Sequence, residues 1–204
     1  MKSINTFILF SILLASSLFF SQSVFAQSNI KIGATAGVNF STITKDGEVT
    51  DGQTGFRGGA VVDFGLSRHF SIVPELLFSQ KGWKINGTGF TQKATVNYIE
   101  LPINLVIKFN VASETKLTIF PGFYAAYAIS GTYKNNEESD KITFGSGVED
   151  LNPIDMGFNL GCGIEVKSVF FRFILHGGLK NLSNDPNYKA DFNTVSLSLG
   201  YYFN

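Results

Sequence analysis

The feature that most constrains this chain is a period-two alternation of apolar and polar side chains, which recurs along nearly all of it after residue 29. A pleated strand sends successive side chains to opposite faces, whereas a helix repeats its apolar positions every three to four residues. No window carries a sustained helical stripe. Eight strand segments result, at 30–40, 56–66, 70–83, 94–109, 116–133, 154–166, 169–179 and 194–203. The fourth is the cleanest, setting Ile99, Leu101, Ile103, Leu105, Ile107 and Phe109 against Tyr98, Glu100, Pro102, Asn104 and Lys108. Abundant Gly and Phe (21 each) beside two Met fit an all-β chain better than a helical bundle.

The connections alternate in length. Those at 41–55, 84–93, 134–153 and 180–193 are medium or long, and those at 67–69, 110–115 and 167–168 are short. In an up-and-down antiparallel meander, alternate connections fall at opposite ends, so all the longer loops gather at one end. Short turns on one side and long loops on the other characterise an outer-membrane transmembrane β-barrel.

The two faces decide between this and a soluble lipocalin-like periplasmic binder, whose eight-stranded barrel has an apolar lumen. Here the polar face is rich in Gly, Ser, Thr and Asn and carries both charge signs. Arg57, Asp63, Glu75, Lys81, Glu100, Lys108, Asp155, Glu165 and Arg172 share it, together with Lys31 and Lys116. Small and mutually neutralising side chains suit a narrow filled interior, and the Ile, Leu, Val and Phe of the other face suit lipid. Those nine residues are expected to form an interior ion-pair network that fixes strand register, because carboxylates in a sparsely watered lumen need partners. Phe64, Phe70, Phe109, Phe171, Tyr201 and Phe203 fall near the short-turn end, and Phe40, Phe56, Phe78 and Tyr127 near the other, as two interfacial girdles. With Tyr98, Tyr124, Phe170 and Tyr202 on the lumen face, no open pore is expected.

Residues 1–26 read as a cleaved Sec-type signal peptide: Lys2, an apolar run from Phe7 to Phe20, a polar Ser21-Gln22-Ser23, then Val24-Phe25-Ala26. The run is broken by Ser16 and Ser17 and falls short of the roughly 20 residues a helical span needs. The mature barrel domain is then 27–204. The chain as a whole has 16 basic and 16 acidic residues, so phosphate neutralisation of a nucleic acid partner is not expected. The single Cys162 excludes an internal disulfide and any multi-cysteine cluster.

Three stretches resemble the outer-membrane β-barrel family of the PorT type. Pro74-Glu75-Leu76-Leu77-Phe78-Ser79-Gln80-Lys81-Gly82 is similar to its third-strand motif, Tyr98-Ile99-Glu100-Leu101-Pro102-Ile103 to its fourth, and the stretch from Gly33 to Ser41 to its first. The resemblance implies an eight-stranded outer-membrane barrel, with a protein-secretion role for the founding type; the barrel is expected to be a monomer in the envelope of a diderm bacterium. Expected partners are outer-membrane lipid, the barrel-assembly machinery, which reads an aromatic near the C-terminus, and a protein partner at the outer loops.

Catalytic signals are thin. His69-x-Ser71 has the spacing of outer-membrane lipid A deacylases, and His176 shares the lumen face with Ser196, Ser198 and Glu165, as a Ser-His-Glu relay would. Both fit structural hydrogen bonding better, so the chain reads as a non-enzymatic barrel with an envelope structural role or a partner-binding role through its outer loops. A lipid-modifying hydrolase is the alternative. The Gly-rich stretches at 161–163 and 177–178 lack the helix and Lys-Ser/Thr of a phosphate loop and read as relief of crowding or as points where the barrel bends. No cofactor or metal is expected. Glu137, Glu138, Asp140, Glu149 and Asp150 make the third outer loop acidic but lack calcium-loop spacing.

Overall fold

The computed structural model describes residues 29–45, 48–87, 90–136, 138–147, 150–185 and 190–203. The expected leader, 1–26, lies outside the described residues. Ten strands form one antiparallel sheet: β1 (Asn29–Lys45), β2 (Glu48–Val49), β3 (Asp51–Gly65), β4 (Phe70–Gly87), β5 (Phe90–Ala112), β6 (Thr115–Asn135), β7 (Glu138–Lys141), β8 (Ile154–Val166), β9 (Val169–Gly178) and β10 (Ala190–Tyr202). β1 pairs with β3 on one side (Gly33 opposite Val61) and β10 on the other (Gly33 opposite Tyr202), which closes the sheet into a ring. Eight strands make the wall. β2 and β7 are short flaps paired to β1 and β6.

The alternation sorts side chains as the sequence dictates. Ile99, Leu101, Ile103, Leu105 and Phe109 are exposed on the outside, while Tyr98, Glu100, Asn104 and Lys108 are buried in the lumen. The same holds round the ring, so the outer surface is a continuous apolar band. Water-soluble monomers rarely expose contiguous apolar patches beyond a few hundred Å². Closure also removes every open strand edge in the wall, the condition a β-structure must meet to cross lipid.

The connections differ from expectation. Residues 41–55 are mostly ladder: β1 continues to Lys45, β3 starts at Asp51, and Ser41 faces Gln53. The expected loop at 84–93 is likewise a protruding hairpin, with Lys84 opposite Lys93 and Gly87 opposite Phe90. These stretches are polar on their outer face, so they resemble loop in a sequence. Strands that project beyond lipid need no apolar exterior, and their backbone hydrogen bonds continue regardless. On β6 the alternation of the sequence sets Ile129 on the apolar face and Ser130 opposite it, toward the lumen. A bulge where Asn97 pairs Ser130 and Tyr98 pairs Ala128 instead places both Ile129 and Ser130 outside.

Where the strands rise above the band, the two faces exchange character. On β1, Phe40 points out and Ser41 in, but one turn of the pleat later Ile43 is the buried residue and Thr42 and Thr44 flank it. On β10, Thr194, Ser196 and Ser198 face inward within the band, and Phe192 faces inward above it. Water outside demands an apolar inside, and lipid outside permits a polar one. Ile43, Val96, Tyr98, Ala126, Ala128, Leu182 and Phe192 accordingly form an apolar cluster in the long-loop mouth, with Trp83, Ile142 and Phe144 packed against it.

Two lumen glycines are fixed by close approach. A Cβ at Gly161 would collide with the Phe120 ring, and one at Gly200 with the Phe170 ring and the Ala34 carbonyl at 2.7 Å. The 161–163 stretch thus makes room for an aromatic, in keeping with relief of crowding.

Candidate functional site

Below the apolar cap, the charged lumen residues meet in three tiers. In the upper tier Lys81 Nζ lies 3.0 Å from Glu100 and 2.9 Å from Asp155, and Arg57 reaches Glu100 at 3.4 Å. All four side chains are buried. Lys81 also sits 4.2 Å over the Tyr124 ring, and the Tyr124 hydroxyl donates to Asp155 at 3.2 Å. In the middle tier Arg172 donates to Glu75 (2.7 Å) and to the Tyr202 hydroxyl (3.0 Å), and Asn104 donates to Glu75 (3.4 Å). At the short-turn end Lys108 pairs with Asp63, and Glu165 is shared by Lys31 (2.7 Å) and Lys116 (3.6 Å).

Each of Arg57, Asp63, Glu75, Lys81, Glu100, Lys108, Asp155, Glu165 and Arg172 therefore has an oppositely charged neighbour. The partners are set by tier rather than by adjacency on the chain. Glu75, which lies beside Lys81 and Lys108 in the sequence pattern, takes Arg172 from the far wall.

His176 does not form a relay. Its Nε2 receives Arg57 Nη1 at 2.8 Å and lies 2.9 Å from Ser196 Oγ, while Nδ1 has no partner. A relay needs a carboxylate on Nδ1 and a free Nε2 facing the hydroxyl. Here a guanidinium occupies Nε2, Ser196 Oγ donates to Asn39 Oδ1 at 2.7 Å, and Glu165 is engaged with lysines. His69 and Ser71 are also separated: His69 is exposed in the turn before β4, and Ser71 is buried in the lumen. Among the acidic loop residues, Glu137 and Glu149 lie outside the described residues, and Glu138 and Asp140 are exposed on β7. No group of three metal-ligating side chains gathers among the described residues.

The long-loop end holds a feature that sequence reasoning missed. The 142–153 and 179–185 connections are tied together: Asn184 Nδ2 donates to the Gly145 (2.9 Å), Gly147 (3.2 Å) and Asp150 (3.0 Å) carbonyls, and Asn152 N donates to Leu182 O at 2.9 Å. Beside them opens a cavity of about 370 Å³ lined by Trp83, Tyr133, Asp140, Lys141, Ile142 and Asp150. The signal for the cap beneath it was present: Ala94, Val96 and Phe192 are apolar residues on the polar parity of their strands.

A closed antiparallel ring with charges inside and an apolar band outside defines a membrane-spanning β-barrel. The family model described as "Outer membrane protein beta-barrel domain" matches residues 25–184. The chain belongs to that family, and its place is the outer membrane. Neisserial surface protein A has the same fold, with a TM-score of 0.51, 8% identity, and 84% of this chain and 97% of that one covered. The attachment invasion locus protein Ail of Yersinia pestis aligns at TM-score 0.48 and 12% identity over 85% of this chain and 98% of that one. No curated protein matches the sequence.

Proposed function

We propose that this protein is a monomeric, non-enzymatic scaffold whose long-loop end binds a protein partner in the envelope, with its short turns facing the periplasm. The observation that carries this reading is the tied loop surface with its aromatic and acidic cavity, built on a barrel whose lumen is crossed by ion pairs and capped at that end by apolar side chains. Rigid presentation lowers the ordering cost of binding, and binding residues concentrate on loops held by such scaffolds. The interior ion pairs serve the scaffold: a one-residue slip of any wall strand would turn its charges toward lipid. The PorT-type motifs make protein secretion the envelope process to examine first.

The test deletes residues 142–152 and 181–185 while leaving the wall strands intact, and separately replaces His69 and His176 by Ala. Loss of secreted protein output with the loop deletions alone supports the partner-binding reading. Loss with either His replacement in a correctly assembled barrel would support lipid hydrolysis instead. Planar-bilayer recordings are expected to show no stable large conductance.

A further inference from the structure

We propose that the short-turn mouth of the barrel is a binding site for a phosphate group. A cavity of about 240 Å³ opens there, lined by Lys31, Asp63, Arg68, Ser71, Lys108 and Lys116. Four cations face it. Against them stand Asp63, held by Lys108, and Glu165, held by Lys31 and at longer range by Lys116. Arg68, on the turn between β3 and β4, has no acidic partner among the described residues. The tier thus keeps two cations beyond what its carboxylates neutralise, although the upper tier balances two cations with two acids.

A second observation points into the same space. Ser71 is fully buried, lines the cavity, and its Oγ has no hydrogen-bond partner. A buried hydroxyl left unpaired keeps its full desolvation cost, which an acceptor oxygen in the cavity would remove. The groups with donors to spare at this mouth are the Arg68 fork, the Ser71 hydroxyl and the Lys116 ammonium, which reaches Glu165 only at 3.6 Å. Such a set fits an anion with several acceptor oxygens. The surplus of two positive charges fits a phosphate, which carries up to two negative charges, better than a carboxylate, which carries one. Arg binds phosphate oxygens in a fork and Lys as a point charge.

Two sources supply that group: a lipid headgroup, or free phosphate and its small esters. The turn bearing Arg68 is flanked by Leu66 and Phe70, both exposed on the lipid-facing side, so a headgroup at the membrane surface lies within reach.

The experiment uses the full barrel in maltoside micelles and follows calorimetric titration with inorganic phosphate, with dihexanoyl phosphatidic acid, whose headgroup is a phosphate monoester, and with acetate. The variants are R68Q/K116Q, which leaves the closer Lys31 and Lys108 pairs in place, and S71A, whose hydroxyl supports no contact in the fold; circular dichroism checks that both keep native structure. Saturable binding of phosphate or the lipid is expected, at least tenfold weaker in R68Q/K116Q and several-fold weaker in S71A. Binding of both probes identifies the phosphate group as sufficient, and binding of the lipid alone identifies the headgroup as the ligand. Absence of saturation with both probes, equal affinity in wild type and R68Q/K116Q, or acetate binding as tight as phosphate would overturn the proposal.

Discussion

At the long-loop end the lumen is filled by Ile43, Val96, Leu182 and Phe192, whereas at the short-turn end it is lined by Lys31, Asp63, Lys108 and Lys116. The same eight strands build both. What differs is the medium outside. The long-loop end protrudes into water and holds itself together like a small soluble domain, by apolar burial and side-chain packing. Within the lipid band the outer face is already apolar, so the lumen can be polar. Its ion pairs and hydrogen bonds share the interior with a smaller apolar cluster of Val61, Val73, Val106, Phe120, Phe170 and Ile174. The barrel is thus two folding problems in series, and the changeover is visible within single strands such as β1 and β10.

This contrast can be broken most severely in the upper ionic tier. Replacing Lys81 by Met leaves Glu100 with Arg57 alone and Asp155 with only the Tyr124 hydroxyl, both buried. Removing one partner of a buried pair costs about 3–5 kcal/mol, so guanidinium unfolding from lipid vesicles should shift by that amount. The double replacement K81M/D155N should recover a substantial part of it. A loss below about 1 kcal/mol for K81M would mean that water reaches the tier.

The apolar cap gives the second test. Phe192→Ala removes a ring that packs edge-on to Tyr98 and tilted to Trp83. Aromatic truncation in a packed core costs about 3–5 kcal/mol; the mouth's access to water brings the expectation to about 3 kcal/mol in the same assay. A near-neutral result would show that the mouth collapses or is not packed in the membrane. Tyr202→Phe should have a smaller effect, near 1 kcal/mol, because it removes only the hydroxyl that accepts from Arg172 and leaves the ring on Phe170. Smallest of all, Lys167→Ala at the β8–β9 turn breaks a 3.2 Å pair with Glu114 in which both side chains are largely exposed. Its effect should stay within about 0.5 kcal/mol, which thermal unfolding in detergent can resolve.

Much of this was readable along the chain. The parity of β5, from Tyr98 and Glu100 inward to Ile99 and Leu101 outward, needs only the pleat, and the rhythm of short and long connections gives the meander. Away from the β6 bulge, the sequence by itself determined which side chains share the lumen, because a period of two leaves no freedom once one face is assigned to lipid. Tertiary structure decided the rest. Whether Glu75 meets Lys81 or Arg172 depends on strand stagger across the closed ring, a quantity no single strand encodes. The bulge at Ile129 resets parity without a turn residue to announce it, and the folding of Leu182 into the mouth depends on the three carbonyls gathered around Asn184, which come from a loop more than thirty residues earlier in the chain. Local alternation is set by neighbouring residues, whereas ion-pair partners, the cap and both cavities exist only where segments distant in sequence are brought to one height in the barrel.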